Sequence, residues 1–134
     1  MKKNNNKGFS LVELIVVIAI MAVLVGVLAP SLLKYVEKSR VSRDAQNFDQ
    51  IVEAMNVAAA SEGTQIAGED TYTVTNKKLS LTSTTAGSAF IKEVQDILGA
   101  TEVEFSSTAW ANSGKIEIKK VGNEYTIEAT PATK

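Results

Sequence analysis

The stretch KGFSLVELIVVIAIMAVLVGVLAPSLL, residues 7–33, decides what kind of chain this is. From Leu14 to Ala29 it carries no charge and almost no polarity. Phe9, Leu11 and Val12 extend it on one side, Leu32 and Leu33 on the other, to an apolar run of roughly 25 residues, where a membrane-spanning helix needs about 20. Everything after Lys34 is soluble in character, about 100 residues, the size of one ordinary domain. The pattern is therefore one hydrophobic segment followed by one water-compatible unit.

Lys2, Lys3 and Lys7 precede the apolar run. Positive charge on that flank keeps the N-terminus in the cytoplasm and delivers the rest to the outer side. An ordinary secretory signal peptide fits less well, because its apolar region is only about 7–15 residues long. Its one small-residue site, Val27-Leu28-Ala29, is followed by Pro30, a poor residue for signal peptidase to face.

Composition removes most chemistry. The chain has 134 residues, no cysteine and no histidine, with a net charge of -1. Without cysteine there is no disulfide, no thiolate metal site and no thiol nucleophile. Without histidine the usual base near neutral pH is missing. No phosphate-binding loop, dinucleotide fingerprint or nucleophile-base pair is present. Glu69, Asp70, Asp96, Glu102 and Glu104 lack the dense oxygen-ligand spacing of a calcium loop. The expectation is a non-enzyme with no cofactor, no metal and no catalytic residues.

Glu13 is the residue that does not belong in an apolar helix. A carboxylate at the centre of a bilayer helix costs about 2.5–3.5 kcal/mol, less near the end, so it calls for a partner. Its surroundings, Lys7-Gly8-Phe9-Ser10-Leu11-Val12-Glu13-Leu14-Ile15, resemble the processing site of the type IV pilin family: a short basic leader, Gly, then Phe-(Ser/Thr)-Leu-x-Glu and an apolar helix. Pro30 resembles a proline that the family commonly carries in this helix. The resemblance covers about the first 55 residues, a fraction of one domain.

That resemblance implies a leader over residues 1–8, cut by prepilin peptidase between Gly8 and Phe9, with Phe9 then N-methylated. It implies that Phe9 and Glu13 serve assembly, the Glu13 carboxylate facing the amine of a neighbouring copy in a helical filament of many copies. Opposite charges lower the cost of burying both groups. The implied partners are the peptidase, the pilus assembly machinery and the cytoplasmic membrane before assembly; the destination is a cell-surface filament. Loss of the leader takes three of the 14 basic side chains, leaving 11 against 15 acidic ones, a net of -4 before the termini. That balance disfavours direct nucleic-acid binding. The family's C-terminal disulfide has no counterpart in a chain without cysteine.

After Pro30 no Gly or Pro appears from Ser31 to Glu62. Val41, Ala45, Phe48, Val52, Met55 and Ala59 recur at helical spacing and are the expected core-packing stripe, widened by Ile51 and Ala58. Glu37, Lys38, Arg40, Arg43, Asp44, Asp49, Gln50 and Glu53 are expected on the opposite, polar face. The spacing predicts one helix from about Phe9 to Glu62, apolar over 9–33 and amphipathic over 34–62, stopped by Gly63. Gly26 and Pro30 are its weak points, since Pro30 removes a hydrogen bond and clashes with the Gly26 carbonyl. Melting between about Ala22 and Pro30 is expected in a polymer, with a more continuous helix in the membrane.

Residues 63–134 read as a globular α+β domain. Thr71–Val74 and Leu79–Thr82 are short strand candidates, and Ser80–Ser88 a hydroxyl-rich loop. Phe90, Ile91, Val94, Ile97 and Leu98 predict a helix over about Ser88–Leu98, capped by Gly99. The period then becomes two through Val103/Phe105, Ile116/Ile118 and Tyr125/Ile127/Ala129, predicting a three-stranded antiparallel meander laid on the helix. Trp110 fits either a sheet edge or the surface. The fold class is α+β, a long N-terminal helix packed against a small antiparallel sheet. Three functions fit: a structural, major subunit of a type IV pilus serving adhesion, motility or DNA uptake; a minor pilin or pseudopilin of a type II secretion or competence system; and a bitopic membrane protein with an external binding domain.

Overall fold

A computed structural model describes residues 8–61, 66–82, 85–121 and 124–132. Its elements are α1 (Leu11–Ala60), β1 (Asp70–Thr73), β2 (Lys78–Ser80), α2 (Ser88–Leu98), β3 (Glu102–Glu104), β4 (Lys115–Val121) and β5 (Glu124–Thr130). The arrangement is α+β, a long N-terminal helix packed with a small antiparallel sheet, like the type IV pilin fold.

The fifty residues of α1 include Pro30. Proline has no N–H to offer the Gly26 carbonyl. One residue later the Ser31 hydroxyl donates to the Leu28 carbonyl at 3.0 Å. The helix stops two residues short of the expected Glu62, with Ser61 N–H donating to the Ala58 carbonyl at 3.3 Å. Glu62 and Gly63 lie outside the described residues.

The chain divides into two compact units, Met1–Val36 and Glu37–Lys134. In the first, every described residue is exposed. Its apolar helical stretch has a mean hydropathy of 3.1 and is long and apolar enough to cross a membrane.

The second unit holds the core. From α1 come Phe48, Ile51, Ala54, Met55 and Ala58; α2 adds Phe90, Ile91 and Val94, and β4 adds Ile116 and Ile118. The expected stripe is turned. Phe48 and Met55 are buried as anticipated, but Val41, Ala45 and Val52 are only half-buried and Ala59 is exposed. The buried line runs Asp44, Phe48, Ile51, Met55, Ala58, so Asp44 lies among the core residues and not on the polar face. The physical cause is the set of hydrogen-bond donors that meets the Asp44 carboxylate, described below.

The sheet also departs from the simple meander. β4 is central, flanked by β1 and β5, all antiparallel. The β4–β5 hairpin runs from Lys115↔Thr130 to Val121↔Glu124, and Ile116 and Ile118 face inward. β3 instead pairs with β2 in a separate two-stranded sheet, Leu79 opposite Val103. Trp110 explains the difference. It is buried between Phe48 and Phe105, with ring centroids 4.9 and 5.1 Å away. The segment after β3 therefore dives into the core instead of turning back as a hairpin, and β1 takes the open side of β4. Gly114 makes room: its φ is +102°, and a Cβ there would lie 2.6 Å from the Trp110 ring.

Asn76 and Lys77, at φ 50° and 63°, make the tight turn that closes Thr75 against Lys78. Asn76 N–H donates to the Asn112 side chain and Lys77 N–H to the Ala111 carbonyl, tying this turn to the Trp110 loop. α2 occupies the expected Ser88–Leu98 and ends on Gly99 in the left-handed region at φ 68°. In the hydroxyl-rich loop, Leu81 and Ala86 are fully buried anchors.

Candidate functional site

Two constellations stand out, one in each unit. The first is the start of α1. Gly8, Phe9 and Ser10 precede the helix without regular structure, and Phe9 is 93% exposed. Ser10 caps the first turn, its carbonyl accepting Leu14 N–H at 3.2 Å. The Glu13 carboxylate reaches back and accepts Ser10 N–H at 3.2 Å. Ser10-Leu11-Val12-Glu13 is thus the S-x-x-E arrangement in which a side chain in the first turn satisfies an orphan backbone donor. The consequence is geometric. The Gly8–Phe9 peptide lies outside the helical hydrogen bonding and in the open, with nothing within 4 Å of where a Gly8 Cβ would be.

Glu13 itself is exposed, as are Gly26 and Pro30. Gly26 and Pro30 stand inside a continuous helix. Phe9, Glu13, Gly26 and Pro30 therefore lie along one helix and its lead-in.

The second constellation was not visible in the hydrophobic pattern. Asp44, 1% exposed, accepts Ser106 N–H at 3.0 and 2.9 Å through its two oxygens and Ser107 N–H at 2.6 Å. The Ser106 hydroxyl donates to it at 3.1 Å, and Arg43 donates to that hydroxyl oxygen at 2.7 Å. Seven residues earlier, Glu37 accepts both the N–H and the hydroxyl of Thr108, at 2.7 and 2.8 Å. Three consecutive loop residues are therefore clasped to α1 by two of its carboxylates. Burial pushes the Asp44 carboxyl up, but the hydrogen bonds from Ser107 and Ser106 together outweigh it and hold its pKa below the ordinary value. The Thr108 backbone bond, then its hydroxyl, lower that of Glu37. Asp44 could have been suspected only from phase: it lies one turn before Phe48, on the line of Ile51 and Met55.

A third feature is a charge ladder on the outer face of the sheet. Glu117 stands directly opposite Glu128 in the β4–β5 register. Lys119 bridges them, 3.0 Å from Glu117 and 2.6 Å from Glu128, and Lys115 pairs with Glu117 from the other side.

Among the described residues no group of three or more acidic side chains is placed to hold a metal ion. Neither the curated proteins nor the solved structures gave a significant match to the chain. A family model did: the prokaryotic N-terminal methylation motif matches residues 3–29, which span the basic lead-in, the Gly8–Phe9 peptide, Glu13 and most of the apolar helix. Those residues carry the class III signal of type IV prepilins, and the chain is in this respect like a type IV pilin or pseudopilin precursor.

Proposed function

We propose that this chain is the major structural subunit of a type IV pilus and not an enzyme. Residues 1–8 are its leader, removed by prepilin peptidase after Gly8. The new N-terminus at Phe9 is methylated, and the mature chain polymerises through the apolar half of α1. The observation that carries this reading is the exposed apolar stretch of α1, which begins two residues after the open Gly8–Phe9 peptide. Such a surface needs lipid around it, or the helices of other copies. A filament subunit uses both in turn, membrane first and polymer afterwards.

In the polymer Glu13 gives up its bond to Ser10 and meets the Phe9 amine of a neighbour. The segment from Ala22 to Pro30 opens there, because the Gly26 carbonyl already lacks a proline N–H partner and Gly26 adds backbone freedom. The finished filament stands on the cell surface and serves adhesion, twitching motility or DNA uptake.

The test is intact-mass and N-terminal analysis of material sheared from cells. A dominant species beginning at methylated Phe9 supports the major subunit. Phe9-started chains confined to membranes point to a scarce minor pilin or pseudopilin, and chains beginning at Met1 end the reading.

A further inference from the structure

The outer face of α1 within the second unit carries an unequal charge pattern. A shallow groove runs between the helix and the end of β5, lined by Asp49, Val52, Glu53, Val57, Ala60 and Ala129. Val57 is 54% exposed, so the floor is apolar and open. Asp49 and Glu53 stand on its rim, one turn apart, and neither carboxylate has a partner among the described residues. Lys38 is also exposed, and its ammonium is likewise without a partner among those residues. In contrast, Glu37, Arg40, Arg43 and Asp44, the other charged groups of this stretch, are all engaged within the chain.

Helix geometry relates these three residues. Asp49 follows Lys38 by about three turns, roughly 16 Å along the axis, and Glu53 follows by about four turns, roughly 22 Å. All three lie on one side of the helix. No single copy can bring Lys38 to its own Asp49, but a second, parallel copy displaced by that distance can.

We infer that the groove of one copy receives the Lys38 segment of a second copy of this chain, with the Lys38 ammonium between Asp49 and Glu53. This rests on the filament reading proposed above, because a shared membrane is what makes the copies parallel. The contact is heterologous: each copy offers Lys38 at one level of the helix and the groove about three to four turns further along, so the pairing is not self-complementary and makes no closed two-fold dimer. Copies resting at equal depth in a bilayer have all their Lys38 residues level, so they cannot make it. The pair forms only after one copy has moved outward relative to the next, and it distinguishes polymer from lateral clusters in the membrane.

The experiment is charge reversal in the full chain, expressed with its processing machinery and scored by yield of sheared filaments. Lys38→Glu alone, and Asp49→Lys with Glu53→Lys, are each expected to cut yield at least about tenfold while the processed subunit in membranes stays at parental level. Combining all three substitutions restores yield to within about threefold of the parent. As a second measurement, Lys38→Cys with Glu53→Cys in this cysteine-free chain gives a bismaleimide-linked ladder in filaments and none in the membrane pool. Parental yield from Lys38→Glu, or no recovery in the combined variant, overturns the inference and leaves the filament reading intact. A parent chain that yields no filaments overturns both.

Discussion

Oδ2 of Asp44, on α1, accepts the backbone N–H of Ser107 at 2.6 Å across sixty-three residues of sequence. With the two bonds from Ser106 N–H, it fastens the loop leading to Trp110 onto the helix. Asp44→Ala leaves one buried and one half-buried N–H donor, of Ser107 and Ser106, without their acceptor, and a loss of about 2–4 kcal/mol is expected. Asp44→Asn keeps one acceptor oxygen and is expected to lose less, about 1–2 kcal/mol. Thermal unfolding of the full chain in detergent measures both, at about 4–8 °C per kcal/mol for a unit this size.

Acid should open the same clasp. Asp44 and Glu37 both have pKa values below their ordinary 3.8 and 4.5 in the folded chain. A lowered folded pKa gives stability that is present above the unfolded value and lost as pH falls through the folded one. Stability is therefore expected to hold from neutral pH to about pH 5 and to decline below about pH 4. Asp44→Asn should flatten that decline; an unchanged acid slope in denaturant titrations of the variant counts against the clasp.

Gly114→Ala tests the place of Trp110. The new methyl would sit at a positive φ and 2.6 Å from the indole. A cost of about 2–4 kcal/mol is expected from backbone strain and overpacking together. The tryptophan emission, from the only Trp in the chain, should move to longer wavelength as the ring is displaced. Unchanged emission and stability would show that the ring yields freely.

The outer charge ladder gives a milder outcome. In Lys119→Ala, Glu117 faces Glu128 without its bridge. The Glu117 pKa, lowered first by Lys115 and next by Lys119, should rise part of the way toward its ordinary value. Carbon-detected titration of Glu117 reads this directly. The accompanying fall in melting temperature should be small and should shrink in high salt, because all these groups face water.

At the start of α1, Glu13→Ala is expected to be cut after Gly8 as before, because the Gly8–Phe9 peptide lies outside the helix. Assembly should suffer. Removing one member of a buried ion pair typically costs about 3–5 kcal/mol. The measurement compares processed subunit in membranes with sheared filaments, and normal filament yield would remove Glu13 from assembly.

Much of this molecule is readable as pattern. The apolar run, α2 with its Gly99 cap and the inward Ile116 and Ile118 follow from local rules of period and capping, while Gly8, Phe9 and Glu13 are legible only as a resemblance to a family motif. What escapes are long-range pairings. Nothing near Val103 says that its strand joins Leu79 and not Ile116, since alternation fixes a face and not a partner. Asp44 escapes for a related reason: a binary pattern assigns an aspartate to water, while here loop donors sixty residues away supply its solvation. Trp110 sits in a segment with no periodicity at all, so only the assembled core locates it.

The order in which the core residues occur along the chain sets a schedule. Among the described residues no buried hydrophobic side chain precedes Phe48, and the last of them, Ile118, comes seventy residues later. During synthesis the apolar helix is thus complete about 85 residues before the globular unit can close, a delay of roughly 4–17 s at ordinary elongation rates. On the reading proposed above, membrane insertion and domain folding do not compete for the same moment; the first can finish before the second has its parts.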